Sequence, residues 1–228
     1  MKERKSTILA LLFFATAVQA QVIDHPNCGM KSPNTLVIEK VETINGLSTF
    51  YCSVENQIND GYFCADKNIY IIYPDGSRSR LKKAEGIPVC PDMHKFKAIG
   101  EKLEFRLVFP ALKENAQWID LVEECSSDCM FFYGLTLDNE LNKQLDDLFL
   151  KAEKATSEEY IGLFKAMIDQ IDSKNLGIEG LLYINIINAS LEAGDKVGAS
   201  VWYTRLISSG APRLSYYLKF LNDKGVKF

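Results

Sequence analysis

Hydrophobic and polar positions follow two different rhythms along this 228-residue chain, and the change comes just after Leu137. Before it, apolar residues fall in short runs closed by turn residues. Leu103, Phe105, Leu107 and Phe109 occupy one side of a run with Glu104 and Arg106 on the other, the period-two pattern of a half-buried strand. Similar runs lie at residues 36–38, 41–44, 49–54, 68–73, 77–82, 118–122 and 131–135. Asn45-Gly46 joins two of them, and that pair suits the positive φ both central positions of a tight hairpin need. Pro74-Asp75-Gly76 closes another pair. Strands of this length and spacing predict an antiparallel β-sandwich of the immunoglobulin-like kind over residues 21–137.

After Leu137 the apolar spacing becomes helical. Leu141, Leu145, Leu148 and Phe149 form one stripe, with Asp138 placed to cap it. Thr156 and Glu159 make a capping box ahead of Tyr160, Leu163, Phe164, Met167, Ile168 and Ile171. A third helix is expected over residues 181–191, stopped at Gly194, and a fourth over 197–207, stopped at Gly210. Pro212 suits the first turn of a fifth helix carrying Leu214, Tyr217, Leu218 and Leu221. Short connections predict antiparallel helical hairpins over residues 138–228. The fold class is thus an all-β domain followed by an all-α domain.

The first twenty residues change the picture of where this fold works. Lys2, Arg4 and Lys5 precede an apolar stretch over residues 8–17, and Val18-Gln19-Ala20 offers a cleavage site, so residues 1–20 read as a signal peptide. The stretch is short for a bilayer span, and no later segment reaches the roughly 18 consecutive apolar residues a membrane helix needs. The expectation is a soluble periplasmic or secreted protein without membrane insertion. The formal charge is −4, and both halves are net negative once the leader is set aside. That excludes the basic footprint of a nucleic-acid binder. Arg78, Arg80 and Lys82 share one side of their run and read as a solvated, edge-protecting row.

All six cysteines (Cys28, Cys52, Cys64, Cys90, Cys125 and Cys129) precede the change of rhythm. In an exported chain an even count predicts disulfides, although spacing does not fix their pairing. Cys125 with Cys129 would pin a short loop, Cys64 with Cys90 would staple the ends of the 70–81 hairpin, and Cys28 with Cys52 would tie the N-terminal segment to the sheet. Cys90, His94, Cys125 and Cys129 offer an alternative Cys3His zinc set. Thiol redox chemistry is disfavoured by the absence of a Cys-x-x-Cys pair and by Glu123, Glu124 and Asp128, which would raise the pKa of nearby thiols. Those three carboxylates also read as a solvated acidic loop rather than a calcium site.

No nucleotide loop, dinucleotide fingerprint or nucleophile elbow is present, so no cofactor and no catalytic residue is assigned. His25 and His94 are the two histidines, and His25 falls in an N-terminal segment expected to be disordered. Plentiful carboxylates leave a carboxylate-based hydrolase at the domain junction as an alternative.

Two resemblances add to this reading. Residues 180–212 resemble a tetratricopeptide repeat through Tyr183, Ile186, Gly194-Asp195, Ala199, Tyr203 and Pro212. The pattern departs at Ile187 and Ser190, where a small residue and an aromatic are usual. The resemblance implies stacked helical hairpins and a peptide groove with Asn185, Asn188 and Glu192 as its polar candidates. Residues 35–137 are similar to uncharacterised exported β-sandwich modules of Bacteroides-type bacteria. The similarity lies in Asp75-Gly76, residues 84–88, the strand ending Phe109-Pro110, residues 119–123 and Phe132-Tyr133-Gly134. It implies a fold and carries no activity. Together these features predict a non-enzymatic binding or assembly module that contacts a protein or peptide.

Overall fold

The computed structural model describes residues 21–125, 129–171 and 174–228; the expected leader and Asp128 lie outside the described residues. Twelve strands come first: β1 (Gln21–Asp24), β2 (Met30–Ser32), β3 (Leu36–Ile44), β4 (Leu47–Glu55), β5 (Tyr62–Phe63), β6 (Ile69–Ile72), β7 (Arg78–Arg80), β8 (Lys83–Glu85), β9 (His94–Lys95), β10 (Lys102–Pro110), β11 (Trp118–Glu123) and β12 (Phe131–Thr136). Five helices follow: α1 (Asn139–Ala152), α2 (Ser157–Ile171), α3 (Glu179–Glu192), α4 (Lys196–Ser208) and α5 (Leu214–Asp223).

The strands form two five-stranded antiparallel sheets, ordered β1-β3-β4-β10-β8 and β2-β12-β11-β6-β7, and a small β5-β9 ribbon. Alternation explains how they pack. Phe105, Leu107 and Phe109 of β10 point inward beside Phe50 and Val54 of β4. They meet Ile69, Ile71, Leu121 and Phe132 of the second sheet in one shared core. Phe50 and Phe109 pack edge to face, with ring centroids 5.4 Å apart.

The structure refines the predicted strands in three ways. Residues 36–38 and 41–44 are one strand, interrupted at Glu39 by a bulge. Lys82 does not extend β7: its N–H donates to the Val108 carbonyl, where the chain has already crossed to the other sheet. The segment holding His25 is ordered, because β1 pairs with β3 and the His25 N–H continues that ladder to the Glu39 carbonyl at 2.8 Å.

The helices are set by their ends. Asp138 Oδ1 accepts the N–H groups of Glu140 and Leu141, starting α1 two residues after β12 ends. The Thr156–Glu159 capping box forms as expected, with Glu159 Oε2 accepting the Thr156 N–H at 2.8 Å. α5 differs from its expected start. Pro212 stands outside it, and the helix begins after Arg213, whose φ of 60° is left-handed. Arg213 is held there by a side-chain partner in the sheet, described below. α2, α3 and α4 pack in sequence order, and α5 returns to α3 around Leu145, Phe164, Leu182, Ile186 and Leu206. Among the described residues no helix is long and apolar enough to cross a membrane.

Candidate binding site

The sheet and the helices meet on the outer face of the second sheet. Alternation along β11 puts Asp120 on the outer face, between the core residues Ile119 and Leu121 and opposite the extra residue of a bulge in β12. Its side chain is about as buried as the core, with the residue 2% exposed. Oδ1 accepts the Gly134 N–H at 2.8 Å, and Oδ2 accepts Arg213 Nε at 2.6 Å with Nη2 at 2.5 Å. The guanidinium lies over the Tyr133 ring, and Tyr133 packs against Tyr216 one turn into α5. Burial raises the Tyr133 hydroxyl above its ordinary pKa, reinforced by Tyr216.

The starts of the other two docked helices are fixed by different means. Asn142, in the first turn of α1, accepts the Asn27 N–H at 2.8 Å and bonds the Thr136 hydroxyl. Ahead of α3, the Trp118 indole N–H donates to the Asn175 carbonyl at 2.8 Å. Gly134 and Gly177 touch there: a Cβ on Gly134 would stand 2.0 Å from the Gly177 carbonyl oxygen, and one on Gly177 2.7 Å from the Trp118 ring. Gly180 likewise admits the Tyr217 ring. Glu179, the other carboxylate at the start of α3, accepts the Leu176 N–H. At this junction both Asp120 oxygens are bonded, whereas Glu179 uses one oxygen and its buried Oε2, like the buried Tyr217 hydroxyl, has no hydrogen-bond partner among the described residues.

Two cysteine pairs are disulfides, Cys64–Cys90 and Cys125–Cys129, with Cα atoms 5.4 and 5.5 Å apart. Three sulfurs of the alternative Cys3His set are thereby bonded to other sulfurs rather than free as thiolates. The expected Cys28–Cys52 bridge is absent, and both are free thiols. Cys52 points into the sheet core on β4, and Cys28, between β1 and β2, packs against the same core with Tyr217 nearby. Burial pushes the Cys28 thiol up to about 11 and raises Cys52 further. Bridged cysteine pairs are typical of extracellular proteins.

Both disulfides sit at the end of the sheets away from the start of α1. There residues 56–68 and 86–101 form a lobe built on the β5-β9 ribbon. The Asn56 amide donates to the carbonyls of Ile58 and Ala98, drawing the two segments together. Glu123, buried at the end of β11, accepts the Asp66 N–H at 2.6 Å and the Met130 N–H at 2.8 Å, which ties the lobe to the sheet. Burial holds its carboxyl above the usual range. Glu124 pairs with Arg78, so these acids bond within the protein. His94 faces Glu101, with Nε2 3.5 Å from Oε1, and rests edge-on against Phe96. The lobe exposes Ile58, Tyr62, Val89, Met93 and Ile99, with Ile58 and Tyr62 at 65% and 63%.

The residues expected to line a peptide groove lie along α3, and two of them, Asn185 and Glu192, stand near the Tyr160 hydroxyl of α2. Asn185 is half-buried and bridges two helices, accepting the Tyr160 hydroxyl at 2.6 Å and donating to the Leu181 carbonyl at 2.8 Å. Asn188 is half-buried, and Glu192 is exposed at the end of α3. Two larger depressions lie elsewhere. One of about 560 Å³ crosses the outer face of the first sheet, where Arg106–Glu85 and Ser53–Glu39 bond to one another. The other, about 610 Å³, lies between the β6–β7 turn, the β10–β11 loop and the segment before α3. Neither left a motif in the sequence, because the first draws its residues from four separate strands and the second mainly from separate loops. Compared with known proteins, the chain matches no family model, no curated protein and no solved structure.

Proposed function

We propose that this protein is an exported, non-enzymatic binding or assembly module that contacts a protein partner. The reading rests on the stapled lobe. Five large apolar side chains stand exposed on the two segments, residues 56–68 and 86–101, that the Cys64–Cys90 disulfide joins. Clustered exposure of that kind marks interaction surfaces, whereas single exposed apolar residues do not. The bracing matters because a rigid surface loses little conformational entropy on binding. The Asp120 carboxylate, with one oxygen on the Gly134 N–H and the other on Arg213, favours this reading over carboxylate hydrolysis there.

The finer architecture belongs to the same proposal. We read the two sheets as an immunoglobulin-like sandwich related to the exported modules named above, supported by their shared core. We read α3 and α4 as a tetratricopeptide-like hairpin, supported by the fully buried Ala199 and the positive φ of Gly194 at the turn. In that scheme the helices act as a docked support, and a periplasmic or secreted location follows from the disulfides and the expected leader.

The test is photo-crosslinking in the source cell from a probe at Tyr62, compared with a probe at Ile44 on the β3–β4 turn at the far end. The expected result is an adduct of discrete mass from Tyr62 alone, lost when Ile58 and Ile99 are both changed to Asp. No adduct, or equal adducts from both ends, would refute the proposal.

A further inference from the structure

α4 has two faces of different fate. Ala199, Trp202 and Leu206 are buried on the side that packs on α3. The opposite side, Val197, Val201, Thr204 and Ser208, has the i, i+4, i+7, i+11 spacing of a helix seam. It stands exposed, Val197 at 77% and Val201 at 50%. A solvated helix face is ordinarily polar and charged, yet no charged side chain interrupts this one. Its two hydroxyls are turned back on their own helix, Thr204 donating to the Ser200 carbonyl at 3.0 Å and Ser208 to the Thr204 carbonyl at 3.2 Å. A facing apolar surface would leave neither donor unbonded.

Charge placement on the flanks says what covers it. Gly198 and Arg205 are seven residues apart and so share one flank of the helix. Asp195, the N-cap, accepts the Gly198 N–H through Oδ1 at 2.8 Å, and its Oδ2 lies 2.1 Å from where a Gly198 Cβ would stand. That flank therefore carries an acid at its N-terminal end and a base two turns later. Arg205 lies over the Trp202 ring, and neither it nor Asp195 joins an ion pair among the described residues. In antiparallel helices like flanks meet, so a two-fold axis at Val201 sets each Arg205 beside the Asp195 of the other copy. On the other flank it sets Lys196 against the exposed Ile207, which the lysine stem can cover. We infer that α4 pairs antiparallel with α4 of a second copy of this chain, Val201 at the axis and Arg205 bonded to Asp195 at both ends. The inference is independent of the lobe, which belongs to the sheet half.

Sedimentation of the full mature chain over a range of concentrations tests it. The expected result is a monomer–dimer equilibrium with a Kd tighter than about 100 µM. Val201→Glu sets two carboxylates against each other at the axis. It should weaken pairing by about a hundredfold or more while far-ultraviolet dichroism stays that of the parent. Asp195→Asn keeps a capping side chain and removes the charge. It and Arg205→Gln should each weaken pairing by about threefold, and together by less than the product of the two. Ile58→Asp/Ile99→Asp in the lobe should leave the equilibrium unchanged. The inference is overturned if the chain stays monomeric up to about 1 mM, if Val201→Glu pairs as tightly as the parent, or if the lobe variant abolishes pairing instead.

Discussion

Replacing Arg213 by Met should unfold the contact between sheet and helices more readily than any surface change. Met keeps an unbranched apolar stem near Tyr133 but removes both guanidinium bonds to Asp120 Oδ2. The Asp120 side chain is 3% exposed, so its charge would be left without a partner. Breaking a buried pair in this way costs about 3–5 kcal/mol. Arg213 itself is 33% exposed, which lets water reach part of the site, so the lower end, about 3 kcal/mol, is expected. Urea slopes are about 1–3 kcal/mol per molar for small proteins, and with a slope near the upper end the midpoint falls by about 1 M. Adding Asp120→Asn removes the stranded charge and keeps an oxygen for the Gly134 N–H, so the double variant should recover at least about 1 kcal/mol. The measurement is urea unfolding followed by tryptophan emission and far-ultraviolet dichroism. A single variant within about 0.5 kcal/mol of the parent, or a double variant no more stable than the single, would refute the reasoning.

Two other outcomes are expected. Because Cys52 is a buried and Cys28 a half-buried free thiol, both with raised pKa, intact mass should show at most slow alkylation of the native protein, two alkylations after unfolding, and six after unfolding with reduction; six paired cysteines, giving none before reduction, would contradict the structure. Burial raises the Glu123 carboxyl above its ordinary value of 4.5, so the stability that group contributes is fully present below that value and declines as pH rises through the folded value. Glu123→Gln should flatten the stability–pH curve from about pH 4.5 upward, and an unchanged curve by denaturation at several pH values would count against the burial argument.

Alternation made the long central strands legible, because Phe105, Leu107 and Phe109 sit in a core that only one face can reach. β1 and β2 escaped notice because strands of four and three residues are too short to show a period. Capping chemistry located α1 and α2 from Asp138 and Thr156, since those bonds are local. The start of α5 was not legible, as Arg213 is held by Asp120, 93 residues away in sequence. The Cys125–Cys129 pair followed from closeness in the chain, and Cys64–Cys90 from flanking the β6–β7 hairpin. Cys28 and Cys52 remain free thiols on one core, an outcome that pairing by elimination ignores. The bond between Asn185 and Tyr160 was not legible either, since a helical wheel shows one helix and the partner stands on the preceding one.

The contact of Gly134 with Gly177 has a consequence for how the two halves could be recombined. A graft of either half onto another scaffold would need a glycine facing a glycine, because any Cβ on Gly134 would collide with backbone that cannot turn aside. The halves are thus mated parts with a keyed seam, and each has meaning as a building block only together with the other.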